Sequence, residues 1–189
     1  MKRHIPPRML VLTALFAGLT AAGAFLRIPT PWSAFTLQVL FVFLAGAFLG
    51  PGYGALSQGI YLLLGFAGLP VFAGGGGPAY LLRPSCGFLL SYIPAAAVVG
   101  ALLGGSPRPA FGKALLSFLA GLAVIYAVGL PYMALILNAC LGLGVGFGEV
   151  LRSGMLIFLP FDALKILLAA LLVSRLLPRL QTLRPGQQR

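Results

Sequence analysis

The chain has 189 residues, of which 60% are hydrophobic and only 8% are charged, and its mean hydropathy is +1.04. A soluble domain carries roughly 25% charged residues, and a chain of this length cannot enclose so much apolar surface in one core. The composition therefore excludes an ordinary soluble domain. It predicts an all-α integral membrane protein with a single membrane domain, whose apolar surface is covered by lipid.

The formal net charge is +11, from thirteen Lys and Arg against two acids. A basic soluble protein would suggest a nucleic-acid partner. Here the basic residues lie between apolar runs, which is typical of the positive-inside rule for membrane proteins. We therefore expect the lipid bilayer, and no nucleic acid, as the partner of these charges.

A helix needs about 20 residues to cross the bilayer core. Basic residues precede the first apolar run, but this run continues to Leu26 without a convincing cleavage site, which favours a retained span over a signal peptide. Proline and glycine mark the ends of the later runs. The sequence predicts six transmembrane helices, at approximately 9–26, 36–50, 53–67, 87–104, 112–138 and 160–178.

Charge asymmetry predicts the orientation of these six spans. With the amino terminus in the cytoplasm, nine basic residues fall inside (Lys2, Arg3, Arg8, Arg108, Lys113, Arg175, Arg179, Arg184 and Arg189). Three fall outside (Arg27, Arg83 and Arg152), and Lys165 lies within the last helix. Both termini are therefore expected in the cytoplasm. The longer connections, at 27–35, 68–86 and 139–159, are then outer loops.

Asp162 and Lys165 are the sharpest candidates for a binding site. They lie three positions apart in the last predicted helix, so they share one face. Each would cost roughly 2.5–3.5 kcal/mol at mid-membrane on insertion scales. One interpretation is a structural ion pair, or a lysine that reaches the interface. The other is a polar pair that faces the bundle interior and holds a solute.

Other residues near the predicted outer surface leave two interpretations open. Arg83 can pair with a solute carboxylate or with lipid headgroups. Trp32, Tyr80 and Tyr92 can form an aromatic belt or a wall for a ring.

Gln38, Gln58 and Asn138 are expected to bond neighbouring helices. Cys86 and Cys140 are both expected on the outer side, where they either remain free thiols or form a disulfide.

The sequence offers little for catalysis or for cofactor binding. His4 is the single histidine, the two cysteines have no metal-binding spacing, and only two acids are present. Gly112 and Lys113 lack the remaining residues of a phosphate-binding loop. We therefore expect no enzyme activity, no metal and no cofactor.

Small residues form two ridges on the first predicted helix. Ala14 and Gly18 lie on one ridge with Ala22, and Ala17 and Ala21 lie on the other. A spacing of four lets two helices approach closely. Either ridge can pack inside the bundle or dock on another membrane protein.

Five blocks of sequence follow one another along the chain. They are Phe-Thr-Leu-Gln at 35–38, Leu-Gly-Pro at 49–51, Tyr-Leu-Leu-Leu-Gly at 61–65, Gly-Leu-Pro-Val-Phe-Ala-Gly-Gly at 68–75, and Leu-Pro-Phe-Asp-Ala-Leu-Lys at 159–165. Together they resemble the BioY family, the biotin-binding S components of energy-coupling factor (ECF) transporters in prokaryotes. The resemblance covers nearly the whole chain and is close at residues 35–88. Ala34, Arg83 and the Pro-Ser-Cys-Gly-Phe run at 84–88 depart from the family pattern.

The resemblance implies a six-helix fold in the prokaryotic plasma membrane, with an outward-facing pocket that binds biotin with high affinity. Asp162 and Lys165 would bind the ureido ring, and Arg83 or backbone N–H groups around Gly76 would hold the carboxylate. Apolar walls would come from the aromatic residues Trp32, Phe72, Tyr80 and Tyr92. A membrane coupling protein and two ATPase subunits would be partners, with the coupling protein docked on Ala14, Ala17, Gly18 and Ala21.

Three alternatives differ from this interpretation. Another vitamin-specific S component would share the architecture and differ in a few contacts. A membrane-embedded enzyme would need a nucleophile, a base or a metal cluster. A structural adaptor would leave Asp162 and Lys165 unexplained.

Overall fold

A computed structural model of the chain describes residues 6–104, 106 and 108–179. It confirms the predicted class, because the described part is mostly helical and contains five helices long and apolar enough to cross a membrane. Four of the basic residues used to predict orientation (Lys2, Arg3, Arg184 and Arg189) lie outside the described residues. The candidate spans are Pro7–Phe25, Gln38–Phe66, Cys86–Leu103, Phe111–Cys140 and Phe147–Arg179.

Helix α1 (Pro7–Phe25) leads into a short antiparallel hairpin of β1 (Arg27–Pro29) and β2 (Ala34–Thr36). The hairpin turn is closed by Thr30 and Ser33, whose backbone and hydroxyl groups bond each other. Proline at positions 29 and 31 prevents helix continuation here. The connection expected at 27–35 is therefore a regular β-hairpin.

Helix α2 (Gln38–Phe66) combines the second and third predicted spans. It is broken at Gly50, which has φ 81° and ψ −179°, and Pro51 follows. A positive φ of this size favours glycine, which has no Cβ. Gly54 in the second half lies against Gly46 in the first half, so the chain reverses direction at this break.

The connection after α2 contains a 3₁₀ helix at Pro78–Leu82, which leads to α3 (Cys86–Leu90) and α4 (Tyr92–Leu103). The fourth predicted span is therefore two helical segments that meet at Ser91. Cys86 is buried, Cys140 is exposed, and both are free thiols, so no disulfide joins them.

Helix α5 (Phe111–Leu135) continues into a π-helical turn at Ile136–Cys140. Helix α6 (Phe147–Leu151), a second π-helical turn at Arg152–Leu156, and α7 (Leu159–Leu176) follow. The expectation of one long loop at 139–159 was wrong, since helix begins at Phe147. The physical reason is packing: Val150 is fully buried, and Gly154 lies close to Leu130 and Met133.

Glycine lets the helices pack closely in the centre of the bundle. A Cβ on Gly46 would lie 2.4 Å from the carbonyl oxygen of Ala96 on α4, and one on Gly100 would lie 2.5 Å from the backbone of Gly50 and Pro51. Close backbone approach through small residues is a common way to join membrane helices. The first half of α2 is thereby held against α4.

Candidate functional site

A wide chamber of about 500 Å³ lies at the end of the bundle where the β-hairpin and the 67–85 connection meet. Its lining includes Trp32 from the hairpin, Tyr80 from the 3₁₀ helix, and Tyr92 from the start of α4. Tyr80 and Tyr92 are buried, while Trp32 is half-buried. The structure therefore brings three of the four predicted aromatic residues onto one wall.

A narrow chamber of about 50 Å³ lies beside the wide one. Asp162 and Lys165 line it from α7, and Ile125 and Tyr126 line it from α5. The two chambers are adjacent because five residues line both: Ser33, Ala34, Thr36, Phe88 and Tyr92. The predicted polar pair and the predicted aromatic residues thus line two adjoining chambers.

Asp162 and Lys165 are buried and bonded to each other. Asp162 is 5% exposed and Lys165 is 8% exposed. Lys165 Nζ donates to Asp162 Oδ1 at 2.8 Å, and the hydroxyl of Tyr126 donates to Asp162 Oδ2. Asp162 occupies the first turn of α7 after Pro160, where the helix dipole favours a negative charge.

Arg83 lies at the mouth of the wide chamber. Its guanidinium carbon is 5.2 Å from the centroid of the Tyr80 ring, which is cation–π geometry. In the described part of the chain, this guanidinium has no acidic partner. It is therefore available to an anion that enters the chamber.

Arg27 is a second cation on the same chamber, and sequence reasoning did not select it. It is exposed on β1 and lines the wide chamber, and it too has no acidic partner among the described residues. The signal that could have found it is its place at the start of the β-hairpin that also carries Trp32. The mouth of the chamber is consequently positive.

Phe72 and Gly76 are not among the lining residues of either chamber. Phe72 is buried beneath the loop and packs against Tyr61 and Tyr80, with ring centroids 5.4 and 4.7 Å away. A Cβ on Gly76 would lie 2.1 Å from the carbonyl oxygen of Leu69. Both residues hold the loop in shape, and Ala73 and Gly74 face the chamber instead.

Gln38 anchors the chamber wall through a buried chain of hydrogen bonds. Thr36 donates to Gln38 Oε1 at 3.0 Å, Gln38 Nε2 donates to the hydroxyl of Tyr61, and Tyr61 donates to the carbonyl oxygen of Val71 at 3.2 Å. The chain ties β2, both halves of α2 and the following loop together. As predicted, Gln38 and Gln58 bond neighbouring elements, since Gln58 Nε2 donates to Thr20 on α1.

The two small-residue ridges of α1 have different surroundings. Ala17 is 3% exposed and Ala21 packs partly against the core, so the ridge through them lies inside the bundle. Ala14 and Gly18 are exposed, and a Cβ on Gly18 would meet no atom within 4 Å. Burial therefore separates the four residues of the expected docking face, and their role in docking stays a prediction.

Comparison with known proteins agrees with this arrangement. The BioY family matches residues 1–182. A probable biotin transporter BioY of Lysinibacillus sphaericus is 41% identical over 167 residues, covering 88% of this chain and 85% of the relative. The biotin transporter BioY of Thermotoga maritima is 38% identical over 170 residues, covering 89% of this chain and 95% of the relative.

Solved structures match the same fold. The S-component for biotin from an ECF-type ABC transporter has a TM-score of 0.77 and 27% identity, covering 92% of this chain and 94% of its own. FolT bound with folic acid has a TM-score of 0.61 and 14% identity, covering 91% of this chain and 92% of its own. This similarity shows a shared fold alone.

Fold and site together define a multi-pass membrane protein with a solute chamber at one end of a helical bundle, the architecture of a transporter S component. The family match over nearly all of the chain narrows this class. The chain belongs to the BioY family.

Proposed function

We infer that this chain takes up biotin, as the solute-binding membrane subunit of an ATP-driven vitamin importer in a prokaryotic plasma membrane. One observation carries the inference: a buried Asp162–Lys165 pair lines a narrow chamber that adjoins a wide aromatic chamber with arginine at its mouth. The names of the relatives support it, since they are biotin transporters and not enzymes.

The polar head of biotin fits the narrow chamber. Its ureido group has two N–H donors and one carbonyl acceptor. Asp162 accepts from an N–H group, and Lys165 donates to the carbonyl oxygen. A charge-assisted hydrogen bond contributes roughly 1.5–3 kcal/mol, so the pair supplies specificity for a urea.

The rest of the solute fits the wide chamber. Trp32, Tyr80 and Tyr92 provide apolar walls for the thioether ring and the alkyl chain. The carboxylate at the end of that chain binds at the positive mouth, where Arg83 can form a bidentate pair. Arg27 adds a second positive charge there.

The partners follow from the S-component class. A membrane coupling protein and two ATPase subunits would supply the energy, and this chain would carry out no chemistry on the solute. The exposed ridge of Ala14 and Gly18 is the proposed docking face for the coupling protein, because small residues let a partner helix approach closely.

We propose six membrane crossings with both termini in the cytoplasm. The reversal at Gly50 supports this number, because it divides α2 into two antiparallel segments at 38–49 and 51–66. An even number of crossings agrees with the distribution of basic residues. The chambers then open away from the cytoplasm.

Purification of the chain followed by mass spectrometry of bound small molecules tests the function directly. Biotin should copurify, and titration of the emptied protein should show that biotin competes far better than thiamine, riboflavin or folate. Folate is included because a folate-binding protein shares the fold. Preferential binding of another vitamin would assign the chain to a different solute.

A further inference from the structure

We propose that Tyr126 is a third solute-binding residue, whose hydroxyl oxygen accepts a hydrogen bond from one N–H group of a cyclic urea. The assignment rests on the proposed function, since the urea belongs to biotin. Tyr126 lies on α5, whereas Asp162 and Lys165 lie on α7. These three residues line the narrow chamber and not the wide one.

The direction of the Tyr126–Asp162 hydrogen bond is fixed by chemistry. A carboxylate that is paired with a lysine has no proton to donate. The hydroxyl proton of Tyr126 is therefore committed to Asp162 Oδ2. The phenol oxygen keeps its acceptor lone pairs, and among the described residues no group donates to it.

The side chain that carries this oxygen lies beside the narrow chamber. Tyr126 is 8% exposed, and it contributes to the wall of the narrow chamber. A hydroxyl that donates one hydrogen bond can still accept another. An N–H group of a ligand in the chamber can therefore bind the phenol oxygen while the hydroxyl proton stays on Asp162.

The ammonium group of Lys165 has further hydrogen-bond donors available in the same chamber. Its ammonium carries three protons, and one of them goes to Asp162 Oδ1 at 2.8 Å. The oxygens of Asp162 each have a further lone pair. The chamber thus presents two neighbouring acceptors, Asp162 and Tyr126, and one cationic donor, Lys165.

A cyclic urea has the complementary set of groups, with two N–H donors and one carbonyl acceptor. One N–H group would bind Asp162, the other would bind Tyr126, and the carbonyl oxygen would bind Lys165. Ser33, Thr36 and Tyr92 are the remaining polar side chains of this chamber, and all three belong to the wall shared with the wide chamber. The hydroxyl proton of Thr36 is already donated to Gln38.

The first test uses Tyr126→Phe, which removes the oxygen and keeps the ring. Biotin affinity should fall about tenfold, the effect of losing a hydrogen bond from a buried site. Tyr132→Phe is the matched control on the same helix. Its hydroxyl donates to the carbonyl oxygen of Leu81, and Tyr132 lines neither chamber.

The second test separates ligand contact from a structural role. Two biotin analogues, each methylated on a different urea nitrogen, are titrated against the wild type and Tyr126→Phe. In the wild type both analogues should bind more weakly than biotin. The analogue that lacks the N–H facing Tyr126 should bind the variant as tightly as it binds the wild type. The other analogue should bind the variant about tenfold more weakly than the wild type, as biotin does.

The results have distinct meanings. Equal losses for both analogues in Tyr126→Phe, or unchanged biotin affinity, would overturn the assignment. If that variant does not fold, the wild-type series still decides, because an analogue that binds as well as biotin would show that one N–H group needs no partner. Absence of biotin binding to the wild type would overturn the proposed function itself.

Discussion

Gly54 packs directly against Gly46: a Cβ built on Gly54 would lie 2.9 Å from the Cα of Gly46. In a continuous helix, residues eight positions apart are separated by about 12 Å. The contact therefore requires the chain to fold back between them, which occurs at Gly50 and Pro51. One helical segment of 29 residues is in this way two shorter segments that run in opposite directions.

The first prediction concerns topology. Reporter fusions after residue 189 and within 74–77 should report opposite sides of the membrane, because an even number of crossings keeps both termini on one side. A fusion in the 105–110 connection should report the same side as residue 189. Fusions at 74–77 and 189 that fall on one side would exclude six crossings.

The second prediction concerns the ion pair. Asp162→Asn removes a charged acceptor with little change of shape, so biotin affinity should fall about tenfold to a hundredfold. Lys165→Met should also weaken binding while it keeps an apolar stem. Calorimetric titration in detergent or nanodiscs measures both effects.

The double variant Asp162→Asn with Lys165→Met distinguishes the two interpretations of the pair. A purely structural pair predicts that each single variant is destabilised and that the double variant recovers stability, since no buried charge is left unpaired. Thermal unfolding should be measured beside biotin affinity. Biotin binding that survives in the double variant would rule out the ligand role.

The third prediction concerns docking on α1. Gly18→Leu and Ala14→Leu should impair assembly with the coupling protein and leave biotin binding by the isolated subunit near normal. Ala17→Leu should instead destabilise the subunit, because Ala17 is 3% exposed and overpacking a core costs roughly 1–3 kcal/mol. Copurification with the coupling protein measures assembly.

Gly59→Leu is the control for this series. A Cβ on Gly59 also meets no atom within 4 Å, but it lies on a different helix. Loss of assembly in this variant as well would show that added bulk on any exposed helix is sufficient.

The fourth prediction concerns Gly74, which leaves room for the guanidinium of Arg83. A Cβ at Gly74 would lie 2.5 Å from Arg83 Nη1. Gly74→Ala should displace this flexible side chain with less than about 0.5 kcal/mol change in stability, and biotin affinity should fall several-fold. Gly148→Ala, which meets open space, should have no effect.

A double-variant cycle shows whether Gly74 acts through Arg83. In an Arg83→Gln background, Gly74→Ala should cause little further loss of affinity, because residues that share one interaction are not additive. Full additivity would mean that Gly74 affects binding by another route, such as the shape of the loop.

Local spacing predicted those parts of the site that lie close together in sequence. Asp162 and Lys165 share a face because they are three positions apart on a helix, and the structure places them in one chamber. Tyr126 could not be found this way, since it is 36 positions from Asp162 and is one of six tyrosines in the chain. Only the packing of α5 against α7 brings it to the carboxylate.

The limits on the fold prediction have similar causes. Apolar runs showed that helices cross a membrane, but apolar periodicity does not show which side of α1 faces protein and which faces lipid. Ala17 and Gly18 are adjacent and chemically similar, yet one is buried and the other is exposed. Helix at Phe147–Leu151 was missed because glycine at 142, 144, 146 and 148 is typical of a loop.

The unequal size of the two chambers has a consequence for probe chemistry. In the proposed binding mode, the urea head lies in the narrow chamber of about 50 Å³ and the other end of the solute lies in a chamber about ten times larger, next to the exposed side chains of Arg27 and Arg83. Labels attached through the carboxylate would project from this mouth, at the expense of its ionic contacts. Labels on the bicyclic ring would have to fit the narrow end, so useful fluorescent reporters of this protein should be built from the tail.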